Sequence, residues 1–327
     1  MRSKVLWVGL LLGLVAFALG VWAQQPRVQV KVQTEVKVGF VEENPVTGGK
    51  LDWTKGIVWA TGYGVPPENV RGPRARLLAR LIAIKDAQRN LAETLKGVHI
   101  TATTTIVNFG EQVDDRILTR LDTFLRGYRF GPQVQKPDGT WEVTLWVPMY
   151  GQEGVAGQVI APFLPRINER EPEKVPVVRP ETPPPPPTPV PERKPGPYTG
   201  VVIDARGFGV RGSMSPKIRR ADGSEVWGTV QVSREFVQET GIVGYHVDLD
   251  TALRPEMRAG ENPLVLRAIG VAGAGKTDVV ISDEDAALLL AENEKARFLE
   301  KFRVIFVVDR PEGVPPTAPI PRPRPVR

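Results

Sequence analysis

The sequence predicts an α+β protein: two small α/β-sandwich-like domains joined by a proline-rich linker. Three features point there. Period-two segments, the mark of half-buried strands, alternate with apolar stripes at helical spacing over 57–150 and again over 198–309. Strand and helix signals follow one another in the order expected of helices layered on a mostly antiparallel sheet. Between the blocks, prolines crowd the stretch from Pro162 to Pro197, including the run Pro183–Pro187. Such a composition buries no core and favours extended polyproline II.

The first element is an export signal. Arg2 and Lys4 precede an uncharged apolar run from Val5 to Ala23, and the small-residue end at Val21-Trp22-Ala23 places cleavage between Ala23 and Gln24. The same run is long enough to serve instead as an inner-membrane anchor through 5–23. Either way the body lies outside the cytoplasm, in the periplasm or outer cell envelope, and nothing later in the chain reads as a bilayer span.

A segment at 24–56 follows. Val28, Val30, Val32, Thr34, Val36, Val38 and Phe40 share one side of a period-two pattern, with Arg27, Gln29, Lys31, Gln33, Glu35 and Lys37 on the other. This spacing predicts a long strand or two short ones. Its valines Val28, Val30, Val32, Val36 and Val38 form a candidate interface, because long exposed strands invite pairing between chains.

In the block 57–150, Ile57–Thr61 reads as a strand. Pro73 opens a helix to about Lys96, striped by Ala75, Ala79, Ile82, Ala83, Ala87, Leu91 and Leu95 and stopped by Gly97. Alternation of Val98, Ile100, Ala102, Thr104 and Ile106 predicts a strand, and 113–125 a second amphipathic helix. Pro137-Asp138-Gly139 turns into a last strand carrying Trp141, Val143, Leu145 and Val147. The linker is read as 151–197.

The block 198–309 starts with a strand at Val201-Val202-Ile203. Ala221-Asp222-Gly223 predicts a hairpin between Lys217–Arg219 and Glu225–Trp227. Strands are expected near Tyr245–Leu249, Pro263–Ile269, Asp278–Ile281 and Arg303–Val308, with a short helical stretch at 251–258. Ser282 caps a helix whose first turn holds Asp283, Glu284 and Asp285. The tail 310–327 is read as a disordered Pro/Arg segment.

Composition excludes much chemistry. The 327 residues include no cysteine, which removes disulfides, thiolate catalysis, zinc–thiolate sites and lipid attachment to cysteine. Two histidines leave little for a histidine metal site. The net charge of +6 is mixed along the chain, without the basic stripe of a nucleic-acid binder.

One motif looks like chemistry. Gly270-Val271-Ala272-Gly273-Ala274-Gly275-Lys276-Thr277 matches the phosphate-loop pattern GxxxxGKT. A working loop needs a helix starting at the Lys-Thr step, whose free N–H groups face the phosphates. Here Thr277 runs into the strand-like Asp278–Ile281, so Gly270, Gly275, Lys276 and Thr277 are read as a glycine-rich hairpin without a nucleotide. Asp114-Asp115 and Asp283-Glu284-Asp285 sit where they would stabilise helix starts. No nucleophile–base–orienter set surrounds His99 or His246. The sequence predicts no enzyme, cofactor or metal; an exported hydrolase with two carboxylates across a cleft is the class whose geometry a linear sequence does not display.

Ala60-Thr61-Gly62-Tyr63-Gly64, the helix ending Lys85-Asp86-Ala87-Gln88-Arg89-Asn90-Leu91-Ala92-Glu93, Gly97-Val98-His99-Ile100, Asp115-Arg116-Ile117 and Gly139-Thr140-Trp141-Glu142-Val143 together resemble the LPP-twenty lipoprotein family over about 57–148. That family includes envelope domains around flagellar motors and outer-membrane lipoproteins. The resemblance implies a small α+β assembly domain with no active site to carry over. The lipobox cysteine is missing, so lipid anchoring by that route is not available. Tyr198–Gly207 resembles a companion segment of uncharacterised exported proteins. The expectation is an exported, non-enzymatic envelope protein for assembly or scaffolding, flagellum- or outer-membrane-associated, that self-associates or binds other envelope proteins. The alternative is a monomeric module for cell-wall glycan or an anionic envelope polymer, using exposed tryptophans and the basic tail.

Overall fold

A computed structural model describes residues 39–179, 195–228 and 241–310. The cleavage site Ala23/Gln24, the valines Val28, Val30, Val32, Val36 and Val38, the run Pro183–Pro187 and the tail from 311 lie outside the described residues. The fold is α+β.

The first block is one antiparallel sheet of β1 (Val41–Glu43), β2 (Lys50–Asp52), β3 (Ile57–Gly64), β4 (Arg129–Gln135) and β5 (Trp141–Pro148), ordered β1-β2-β3-β5-β4. Helix α1 (Gly72–Lys96) lies on one face across β3 and β5. The alanine stripe permits this closeness from the helix side, and glycines permit it from the sheet side. A β-carbon on Gly62 would fall 2.1 Å from the Ala87 nitrogen, and one on Gly64 only 1.9 Å from the Ala79 carbonyl oxygen. Side chains on that face of the sheet, Val58, Ala60, Val143, Leu145 and Val147, are buried.

Two predicted elements differ. Val98, Ile100, Ala102 and Ile106 are buried as their alternation implies, but they form no strand. The chain turns tightly at 101–104, with the Ile100 N–H bonded to the Thr104 carbonyl at 2.8 Å. The second block takes the carbonyls a sheet ladder would have used: Met214 donates to His99, Ser215 to Ile100 and Gly275 to Ala102. The helix expected at 113–125 becomes two, α2 (Ile106–Gln112) and α3 (Arg116–Phe124). The chain breaks between them at Asp114, whose carboxylate accepts from the Arg116 backbone and guanidinium.

The linker boundary also needs correction. Residues from 151 fold against the body: a π-helical turn Ala156–Ile160, a 3-10 turn Ala161–Phe163, α4 (Leu164–Arg170) and β6 (Val177–Val178). Pro162 and Pro165 occupy first turns, where the missing N–H costs nothing. Val159, Phe163 and Ile167 are buried beneath them. The proline-rich connection therefore starts no earlier than Arg179.

The second block holds two sheets. Strands β7 (Gly200–Asp204), β10 (Gly244–His246), β11 (Pro263–Arg267) and β14 (Val304–Val307) form an all-parallel sheet ordered β10-β14-β7-β11. Both of its faces are covered, as parallel sheets require. Val201, Ile203, Val304 and Phe306 feed the main core, while Val202, Ile305 and Val307 pack with Leu249 of α5 (Leu249–Ala252) on the other side. The remaining strands, β8 (Ile218–Arg219), β9 (Glu225–Trp227), β12 (Gly270–Ala272) and β13 (Asp278–Val280), join β6 in the order β6-β12-β13-β8-β9. Helix α6 (Asp283–Ala296) starts where Ser282 accepts the Asp285 N–H, as its sequence implies.

The two blocks share one hydrophobic core that runs from Phe40 to Val308. Tyr245 is its joint. The rings of Phe40 and Trp53 from the first block and Phe306 from the second all pack on it, with centroids 5.5, 5.8 and 6.1 Å away.

Candidate functional site

The GxxxxGKT stretch is the β12–β13 hairpin. Its register pairs Gly270 with Val280 and Ala272 with Asp278, and α6 begins only after Ser282. The amides a phosphate would need are already used: Gly273 N–H bonds the Pro176 carbonyl, Gly275 N–H that of Ala102 and Lys276 N–H that of Gly273. The glycines serve a different purpose. A β-carbon at Gly273 would lie 2.4 Å from the Ala102 β-carbon, and one at Gly275 would lie 2.7 Å from the His99 ring. The hairpin tip is pressed onto the 99–102 loop of the first block, and only glycine fits there.

His99, beneath that tip, has its pKa lowered to about 4, first by burial and then by the neighbouring Arg211 charge. His246 lies in β10, in parallel register with Val307. Asp114 pairs with Arg116 and Arg166, and hydrogen bonding from Arg116 holds its carboxyl low, at about 2. Asp283, Glu284 and Asp285 occupy the first turn of α6. Among the described residues no group of three or more His, Cys, Asp or Glu is placed to hold a metal ion.

The structure brings together a carboxylate cluster that the sequence did not suggest. Arg219 of β8 bonds Asp278 of β13 at 2.5 Å and stands 4.0 Å from Glu171, which follows α4. Glu171 in turn accepts from the hydroxyls of Thr101 and Thr103. Arg219 and Asp278 are fully buried, and desolvation raises the Asp278 pKa to about 6. The cluster ties three chain segments together inside the body. The three charged residues are dispersed over more than a hundred positions of sequence, and no spacing rule would have joined them.

The outward-looking chemistry is on the first sheet. Its face away from α1 carries alternate residues of each strand; Val41 of β1 and Asp52 of β2 are buried there, while those of β3, β5 and β4 are not. Directly paired residues share a face, so the register sets Lys50, Trp59, Trp146 and Arg129 in one cross-strand row. The Thr61 and Thr144 hydroxyls form the next row, bonded at 2.9 Å. Tyr63, Glu142 and Val134 form the third. Arg129 lies over the Trp146 ring at 5.1 Å, and Lys136 over Tyr63 at 5.4 Å. Beside Arg129 a groove of about 440 Å³ opens between α3 and the end of β5, lined by Arg120, Thr123, Phe124, Pro148, Glu153 and Gln158.

A second surface lies at the sheet edge. β4 has only β5 as a neighbour, and six of its seven residues are exposed. Phe130 is 46% exposed on the helix side, next to Arg80, which reaches its ring and bonds Gln133. Leu77 and Leu81, one helical turn apart on α1, are 68% and 51% exposed. Pro132 sits within the irregular register between Phe130 and Gln133. A proline and a bulge blunt strand addition, so this edge meets a partner through side chains.

The described geometry defines an α+β body with two sheet-bearing blocks on one core and a sheet face left unburied across β3, β5 and β4. Residues 200–310, about a third of the chain, are similar to the family described as the second domain of Treponema pallidum Tp0624. No curated protein matches the chain. No described helix is long and apolar enough to cross a membrane.

Proposed function

We propose that this is an exported, non-enzymatic cell-envelope protein that works in assembly or scaffolding by associating with further copies of itself. The observation that carries this reading is the exposure of Leu77 and Leu81 on α1 on either side of Arg80, which reaches the exposed Phe130 of the edge strand β4. Large aliphatic and aromatic side chains clustered with an arginine are the composition of protein interfaces. The export-type sequence of 1–23 supports a location in the periplasm or outer envelope. The resemblance of 57–148 to the LPP-twenty family, with its envelope and flagellar associations, supports the same class of role. The alternating valines from Val28 to Val38 are the second candidate contact. Asp114 is paired with Arg116 and Arg166, and the hairpin amides of Gly273, Gly275 and Lys276 are already bonded, which supports a role without catalysis.

The test is the absolute mass of the chain from Gln24 onward, by light scattering over a concentration series. A discrete oligomer that dissociates on Leu77→Lys with Phe130→Lys supports the reading and assigns the edge. Dissociation on Val30→Lys with Val36→Lys assigns the N-terminal segment. A monomer at every concentration overturns it.

A further inference from the structure

We propose that the outer face of the first sheet, across β3, β5 and β4, is a binding site for an uncharged glycan strand. This goes beyond self-association, which uses the opposite, helix-side flank.

The argument rests on three properties of the face. It is aromatic where it is flat: Trp59 and Trp146 are directly paired, and Tyr63 lies four residues further along β3, about 13 Å away at strand rise. A pyranose ring has an apolar face of C–H groups that packs on such rings, and two aromatic positions at that distance suit an elongated ligand of more than one ring. Between them stand the Thr61 and Thr144 hydroxyls, placed for the rim hydroxyls of a sugar. These are the few polar groups that orient a ligand on a mainly apolar surface.

The second property is charge. The three cations of the face each have a carboxylate: Lys50 with Glu43 at 3.4 Å, Lys136 with Glu142 at 3.4 Å and Arg129 with Glu153 at 2.9 Å; Arg120, in the groove, donates to the Gln158 carbonyl. An anionic polymer needs uncompensated cations, because its affinity comes from phosphate or carboxylate neutralisation. A neutralised face suits a neutral ligand, to which paired ions still offer hydrogen bonds.

The third is shape. The row Trp146–Arg129 leads into the groove beside Arg129, whose lining includes Thr123, Phe124 and Gln158. Its size falls in the range of small-ligand sites. Face and groove together make an elongated site that continues past the sheet edge.

The experiment is titration of the purified protein with a soluble β-1,4-linked N-acetylglucosamine oligomer, followed by tryptophan fluorescence and calorimetry. Saturable binding insensitive to salt is expected. Trp59→Ala and Trp146→Ala should each weaken it about tenfold or more, since aromatic packing of this kind contributes more than about 1 kcal/mol. Tyr63→Ala, at a half-exposed position that leaves folding intact, should weaken it about threefold. Trp141→Phe, whose ring lies on the α1 side under Arg80, should change nothing. Absence of saturable binding at millimolar oligomer overturns the proposal. So does binding unmoved by the Trp59, Trp146 and Tyr63 variants, or binding only to a polyanion that salt abolishes. Loss of the oligomer on Trp146→Ala, with no glycan bound, assigns the face to a second copy and overturns it. Failure of self-association with glycan binding intact removes the assembly reading alone.

Discussion

Gly212 lies flat against Trp53: a β-carbon at Gly212 would sit 2.0 Å from Cε2 of the indole. The same indole donates to Glu42 Oε2 at 2.6 Å, and Glu42 accepts from the Gly212 N–H at 3.2 Å. A residue of the second block thus closes on β1 and on the turn that follows β2, at a point where neither can shift alone. The shared core makes the two blocks mechanically one.

Gly212→Ala should therefore destabilise the whole body, by about 2 kcal/mol or more, the scale of overpacking a tight contact. Urea unfolding should show the loss in a single transition reported equally by tryptophans of both blocks. Two separate transitions in the wild-type protein would contradict the shared core.

The Arg219–Asp278 pair predicts an asymmetric response. Arg219→Met leaves the buried carboxylates of Asp278 and Glu171 with no cation and should cost about 3–5 kcal/mol. Arg219→Met with Asp278→Leu and Glu171→Gln removes all three charges and should recover most of that loss. Chemical denaturation of the single and triple variants measures the difference. Equal losses would show that the pair acts through packing alone.

Acid stability has two opposing parts. His99 is held neutral by burial, with its pKa lowered to about 4 from 6.5. The unfolded chain takes up that proton first, so this contribution is present above pH 6.5 and is lost as pH falls from 6.5 towards 4. Asp278 runs the other way. Burial raises its pKa to about 6 from 3.8, so its contribution is lost as pH rises through 6 and is fully present below 3.8. His99→Gln removes only the first part. Relative to the wild type, its unfolding free energy should fall less, or rise, between pH 6.5 and 4.5. Parallel profiles for the two proteins would exclude His99 as the acid-sensitive group.

The hairpin at Gly270–Thr277 should ignore nucleotides. Millimolar ATP with magnesium should leave the melting temperature unchanged, and Lys276→Ala should fold normally. Gly275→Ala should destabilise, because its new methyl meets the His99 ring. ATP-dependent stabilisation that disappears in Lys276→Ala would restore the phosphate-loop reading.

Several elements were legible because their causes are local. Period-two and 3.6-residue patterns marked β3, β5, α1, β7, β11 and β14. Pro73, Ser282 and the Ala221-Asp222-Gly223 turn marked boundaries by backbone chemistry that any fold must respect. The failed helix signal after Thr277 was local too, and the hairpin lies where that failure implied.

The stretch 98–106 was not legible. Its alternation was real, but the loop's carbonyls found donors in Met214, Ser215 and Gly275, more than a hundred residues away. The folding of 151–179 was hidden for a related reason: a proline-rich composition reads as linker unless a surface elsewhere receives its valines and phenylalanine. The open face was half visible. Alternation set Trp59, Thr61 and Tyr63 on one side of a strand, and Glu142, Thr144 and Trp146 on one side of another. Whether those sides met, and whether a helix covered them, depended on register and on which face α1 chose. By itself the sequence determined the class of fold, the absence of cysteine chemistry and the places where backbone geometry is forced. The tertiary structure alone decided that the blocks share a core, that Glu171, Arg219 and Asp278 meet, and that the aromatic row remains open. Periodicity and turn chemistry act over a few residues, while packing and charge pairing are set by neighbours that only the folded chain brings together.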